Sequence, residues 1–138
     1  MRARILLLCA TLLCFSGCTT LQPTPATESV AITLSQLIPV NQVVDLDSAT
    51  KALVMAQDFR VFARNSVAKS VRLGVRPKTD LDKFEAYDQY FRSTFRVLKV
   101  YVDRWRLTDD SQLGLFKSDY VRLLEQAITL ETVKESTP

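Results

Sequence analysis

Asp82, Glu85 and Asp88 stand at i, i+3 and i+6. On a helix that spacing puts three carboxylates along one side, where one could hold a proton and another take one. Lys69, Arg72, Arg76 and Lys78 lie just upstream. They are the expected counter-charges, each exposed pair contributing ~0–1 kcal/mol. Further on, Arg92, Arg96, Lys99 and Arg106 follow at steps of 4, 3 and 7, with Asp103 among them. Such a basic stripe suits anionic headgroups or an acidic partner. It equally suits the solvated face that an amphipathic helix needs.

The residues that are missing narrow the chemistry further. The chain of 138 residues has no histidine, which removes the commonest general base and the commonest metal ligand. A glycine-rich phosphate loop, a nucleophile elbow, an HExxH and a paired CxxC are all absent. The expectation is a protein with no catalytic residue, no metal and no cofactor.

The three cysteines, Cys9, Cys14 and Cys18, fall in the first 18 residues. Arg2 and Arg4 open that stretch, Ile5–Phe15 is an uncharged and mostly apolar run, and Ser16-Gly17-Cys18 closes it. A basic start, a short apolar run and a small-residue exit describe an export signal, too short to span a membrane. Phe15-Ser16-Gly17-Cys18 resembles the lipobox of bacterial lipoproteins, with Phe15 where Leu is usual. The resemblance covers this segment alone. It implies cleavage before Cys18, acylation of Cys18 and membrane attachment through the acyl chains. Thr19, in place of Asp, implies the periplasmic face of the outer membrane rather than the inner membrane. Loss of residues 1–17 would take Cys9, Cys14 and two of the three surplus positive charges with it. What is left is nearly neutral, which excludes the broad basic footprint of a nucleic-acid binder.

Residues 18–28 read as a flexible tether, with Pro23, Pro25 and four threonines. Residues 29–138 read as a helical domain of a size suited to one core. Within it Glu28–Val44 is open between helix and strand, since Val30, Leu34, Leu37 and Ile38 fit one period and Val30, Ile32 and Leu34 the other. A short helix ending near Leu37 is the expectation. A first long helix should be capped by Asp47 or Ser48 and run to about Leu73, with Gly74 at C′ and Pro77 preventing continuation. Its apolar stripe is Ala52, Met55, Ala56, Phe59, Phe62, Ala63, Ser66 and Leu73. Thr79 or Asp80 should cap a second helix, marked by Phe84, Tyr87, Phe91, Phe95, Leu98, Tyr101, Val102 and Trp105. Thr108, Asp109 and Asp110 should start a third, marked by Leu113, Phe116, Tyr120, Leu123, Ala127 and Leu130. Gly114 leaves open where that helix begins and whether it is kinked. Short turns between long amphipathic helices predict an all-α, up-down-up three-helix bundle, with a short fourth N-terminal helix as the added element. The small alanines of the first helix are the expected seats for the bulky side chains of the second.

A second apolar line runs along the first helix. Val54, Val61, Ala68 and Val75 recur every seven residues, away from Phe59 and Phe62. A helix apolar on two sides is sandwiched, either by residues 30–44 folding back or by another molecule. Val121, Leu124 and Ile128 form a smaller counterpart on the third helix. Val54, Val61 and Ala68 with Arg92, Arg96, Lys99 and Arg106 are therefore the candidate partner-binding residues, and Cys18 is the candidate lipidation site. The functional expectation is a membrane-tethered, non-catalytic module that binds a protein partner or a second copy of itself. The alternative is a helical bundle that binds a lipid or another small hydrophobic molecule in its interior.

Overall fold

The structure is a computed structural model that describes residues 31–136. Cys18, the signal segment and the tether lie outside the described residues. Among those described there is no strand. Three long helices, α1 (Leu46–Arg72), α2 (Lys78–Thr108) and α3 (Leu113–Glu135), each contact the other two. Two short 3-10 turns, Leu34–Gln36 and Val40–Gln42, precede them. The expected short N-terminal helix is thus two 3-10 turns, separated by Pro39, which as an X-Pro junction holds Ile38 out of the helical region.

The ends of the helices show where local chemistry decided the boundaries. α1 starts at Leu46, and its cap is Asp45 rather than Asp47 or Ser48. Asp45 Oδ1 accepts from the Ser48 N–H at 2.8 Å, while Ser48 Oγ accepts from the Asp45 N–H at 3.0 Å. Ser48 is therefore the reciprocal member of a capping box. Hydrogen bonds from the Ser48 side chain, then its backbone, hold the Asp45 carboxyl below its ordinary range. At the other end the Gly74 N–H bonds to Val71 O and the Val75 N–H to Ser70 O, both at 3.0 Å. That pair of bonds is a Schellman motif, and it needs the left-handed φ of 71° that Gly74 supplies.

α2 begins a residue or two before the expected cap, with Pro77 at its N-cap and Thr79 and Asp80 already in the first turn. With 31 residues it is longer than either neighbour, about 47 Å at 1.5 Å per residue. Thr108 and Asp109 end α2 rather than starting α3. Asp109 is its C-cap at φ 56°, a conformation that Asp tolerates better than most residues. α3 begins at Leu113, so Gly114 sits in its first turn, exposed and with open space where a Cβ would be.

The core takes Ala49, Ala52, Leu53, Ala56, Phe59, Ala63 and Val67 from α1. α2 contributes Phe84, Phe91, Leu98 and Val102, and α3 contributes Phe116, Tyr120, Leu123, Ala127, Leu130 and Val133. The stripe expected for α3 is therefore its buried face, with Leu113 at the half-buried margin. On α1 the stripe is rotated: Met55, Phe62 and Ser66 are half-buried and Leu73 is exposed, while Ala49, Leu53 and Val67 are inside. Four alanines at full burial give α1 a low profile against the phenylalanines of its neighbours, large opposite small. On α2, Phe95, Tyr101 and Trp105 are half-buried and Tyr87 lies at the surface.

Leu37 and Val43 of the N-terminal segment are buried, and both 3-10 turns pack on α3. The Tyr120 hydroxyl donates to Ile38 O at 2.8 Å and so ties the segment to α3. Burial pushes the Tyr120 hydroxyl up to about 12. An unfolded tyrosine ionises near 10, so the fold favours the neutral phenol. Its contribution is complete below about pH 10 and is lost as pH rises towards about 12. Unfolding free energies measured across that window should fall more steeply for the natural chain than for Tyr120→Phe; parallel curves would refute this. Gly74→Ala should destabilise by ~1 kcal/mol, the cost of a Cβ in the left-handed region. Since a Cβ there meets nothing within 4 Å, the cost is conformational, and chemical denaturation will read it directly.

Candidate functional site

Arg60 and Arg64 lie one turn apart on α1, and Glu85, Asp88 and Arg92 lie three and four residues apart on α2. Helical spacing alone therefore sets two guanidiniums of one helix beside two carboxylates of the other. Arg60 grips Asp88 with both prongs, Nε to Oδ1 at 2.5 Å and Nη2 to Oδ2 at 3.0 Å. Arg92 adds Nε to Asp88 Oδ2 at 3.1 Å. Arg64 Nη2 meets Glu85 Oε1 at 2.7 Å. The Asp88 side chain is only 2% exposed and Arg60 is 15% exposed, whereas Arg64, Glu85 and Arg92 are near 45%. Both Asp88 oxygens accept hydrogen bonds from the Arg60 guanidinium.

These partners correct the pairing expected from sequence. Among the described residues Asp82 forms no ion pair, and Lys69, Arg72 and Lys78 form none with the acidic cluster. Arg76 is diverted elsewhere. Its guanidinium donates to Val133 O at 3.0 Å and Lys134 O at 2.5 Å, satisfying carbonyls at the C-terminal end of α3. Arg60 and Arg64 were not singled out from sequence, because they lie far upstream of the turn that brings the two helices together. Their i, i+4 spacing, matched to Glu85 and Asp88 at i, i+3, was the available signal.

Two grooves run between α1 and α2. One, of about 410 Å³, is lined by the arginine cluster with Val61 and Asn65. The other, of about 320 Å³, has Leu53, Val54, Phe95 and Val102 in its walls, with Lys99, Asp103 and Arg106 at its margins. Five of the seven candidate partner-binding residues thus fall on this one face. Val54 and Val61 are 55% and 40% exposed. Arg92 is engaged with Asp88, Lys99 with Asp103 at 2.5 Å, and Arg106 reaches Thr50 Oγ1 at 3.5 Å. Arg96 is exposed and Ala68 half-buried, and neither lines a groove described here. The residues expected to cover the valine line do not do so, since the N-terminal segment sits on α3.

Elsewhere, the Tyr101 hydroxyl donates to Asp119 Oδ2 at 3.0 Å between α2 and α3, and that bond raises the phenol above its ordinary value. No group of His, Cys, Asp and Glu among the described residues is arranged to hold a metal ion. No helix among them is long and apolar enough to cross a membrane. Comparison with known proteins finds no matching family model, curated protein or solved structure.

Removing one partner of a buried ion pair leaves the other uncompensated, whereas removing both leaves neither stranded. Arg60→Ala should therefore cost about 3 kcal/mol, since it strands the buried Asp88, and Asp88→Ala less, because the Arg60 left behind can reach water. The double variant should be more stable than the two losses added together predict, with a coupling of about 1–3 kcal/mol. Simple additivity in urea titrations would refute the pairing.

Proposed function

We propose that this protein is a non-catalytic, membrane-tethered helical module that binds another protein through the α1–α2 face. In this reading Cys18 carries the acyl chains, residues 19–28 span the gap, and the site of attachment is the periplasmic face of the outer membrane. More than one acyl chain makes the attachment stable, since a single chain is marginal. No metal, cofactor or nucleic acid takes part.

One observation carries the docking surface. Val54 and Val61 remain exposed in line along α1 although the chain has a segment that could have covered them. Beside them Lys99, Arg106, Asp58 and Asp103 line the same groove as the apolar Leu53, Phe95 and Val102. An apolar strip with a charged rim is the usual anatomy of a recognition surface. A partner helix with an apolar stripe and an acidic residue placed to meet Arg106 fits that description.

An up-down-up course belongs to the same proposal. Thr50 meets Arg106, Arg60 meets Asp88 and Arg64 meets Glu85. Residue numbers that rise on one helix fall on the other, as helices running in opposite directions require. Such a course sets the two long sides of α1 and α2 edge to edge and makes one continuous face.

A photo-crosslinking side chain at Val54 or Val61 should give a discrete adduct in cells, and one at Lys117 on α3 should not. An adduct of twice the chain's own mass would identify the partner as a second copy. Equal labelling at all three positions, or none, would overturn the assignment of this face. The same adduct should weaken when Lys99 and Arg106 are both replaced by Glu.

A further inference from the structure

The arginine cluster has more positive charge than its carboxylates neutralise. Arg60, Arg64 and Arg92 face Glu85 and Asp88 around one groove, leaving a single positive charge unmatched. Asp88 accepts from the Nε and Nη2 of Arg60, and the Nε of Arg92 forms an ion pair with Asp88 Oδ2 at 3.1 Å. Arg64 gives only one Nη to Glu85. Among the described residues the remaining N–H groups of Arg64 and Arg92 have no protein acceptor. These two guanidiniums belong to opposite walls of a groove of about 410 Å³, with the Asn65 amide beside them.

Two features separate this arrangement from ordinary surface ion pairs. The anchor of the cluster is buried, with Asp88 2% exposed, so the Arg92 guanidinium is held at its root rather than left to wander. Orientation by a buried acceptor lowers the entropy that binding would otherwise cost. The groove, moreover, is large enough for a tetrahedral oxyanion together with the group that it esterifies. Planar guanidinium forks present paired N–H donors at the spacing of phosphate oxygens. One unmatched positive charge suits one negative charge, and Val61 supplies an apolar edge for an ester carbon.

We propose that this groove binds a singly charged phosphate oxyanion, of the phosphodiester type, between Arg64 and Arg92. Arg60 and Asp88 act as positioning residues, fixing the guanidinium of Arg92 and the approach of the two helices. The oxyanion can belong to a phospholipid headgroup or to a soluble phosphate; the chemistry of recognition is the same. The site shares Val61 with the docking face but uses neither Cys18 nor Val54, and its test reads arginine signals rather than a protein adduct, so the two readings can fail separately.

The test uses the full chain in neutral detergent micelles and follows the arginine Nε–H resonances by ¹⁵N–¹H NMR. One arm adds inorganic phosphate against sodium chloride of equal ionic strength. The other replaces part of the neutral detergent with phosphatidylglycerol in phosphate-free buffer, with phosphatidylcholine as its control. Saturable displacement of the Arg64 and Arg92 signals by phosphate supports the site and shows that a soluble ligand suffices. Displacement by phosphatidylglycerol alone supports it and assigns the source to the headgroup. The double variant Arg64→Gln, Arg92→Gln, followed through the Nε–H signal of Arg60 in the same groove, should bind about tenfold more weakly or worse, since each charge-assisted hydrogen bond lost is large on that scale. Arg96→Gln removes a cation from the same helix outside the groove and should leave binding unchanged. Both variants alter exposed side chains, and circular dichroism will show that they remain helical. Absence of saturable displacement in both arms overturns the proposal. So does undiminished binding in the double variant, or an equal loss in Arg96→Gln.

Discussion

Burial of Asp88 between α1 and α2 is the constraint on which the remaining geometry depends. Apolar packing drives the helices together, but it is nearly indifferent to a slide of one helix along another. A carboxylate 2% exposed to water has no such freedom, because an unpaired charge at that depth is costly. Arg60 meets it with both prongs of its fork, and a fork tolerates little displacement. The ion pair is thus weak evidence for net stability and good evidence for register. Once Arg60 and Asp88 are opposed, Arg64 falls beside Glu85 one turn away, and Thr50 falls beside Arg106 near the far end.

That register decides what the α1–α2 face displays. It sets Arg92 beside Val61 in one groove, and it sets Lys99 and Arg106 beside Val54 in the other. The opposite side of α1 is committed to the core and to α3, where Lys134 lies 5.6 Å from the Phe62 ring centre. α3 is further occupied by the N-terminal turns, held by the bond from Tyr120 to Ile38. α3 nonetheless leaves Leu115, Val121 and Ile128 exposed. What α1 and α2 leave open follows from that division, because the segment spent on α3 is not available to cover the valines.

The sequence disclosed these features unequally, for physical reasons. Phe116, Tyr120, Leu123, Ala127 and Leu130 were legible as the buried face of α3, since large side chains at helical spacing have one economical place to go. α1 was harder. Ala49 and Val67 are fully buried, yet small residues carry little periodic signal, and Phe62 drew the expected stripe towards a side that is only half-buried. A capping box contains two eligible residues, and only backbone geometry tells the N-cap Asp45 from its reciprocal Ser48. The acidic cluster is legible in its spacing, but its partners are Arg60 and Arg64 rather than the cations near the turn, where sequence distance is short. Arg76 went instead to the carbonyls ending α3, a contact between residues 57 positions apart that no local pattern announces.

The two uses of arginine around Asp88 bear on what the proposed face can recognise. Arg60 is consumed by its partner, so it contributes shape and register but little attraction for a ligand. Arg92 is held by one nitrogen only and keeps the outer part of its fork for a newcomer. Lys99 and Arg106 differ again. Lys99 is matched to Asp103 four residues on, and Arg106 reaches only a hydroxyl, at 3.5 Å. On the α1–α2 face, Arg92 shares a carboxylate with Arg60, Arg106 meets no carboxylate, and Lys99 between them is neutralised by Asp103. A ligand that engages both Arg92 and Arg106 must be elongated and must carry its negative charge at two points, with an apolar stretch between them to meet Val54 and Val61. A compact anion can satisfy only the Arg92 end. On the proposed readings the face can thus admit a small phosphate and a helical partner at once, and because Val61 lines the phosphate groove, the first ligand would alter the surface that meets the second.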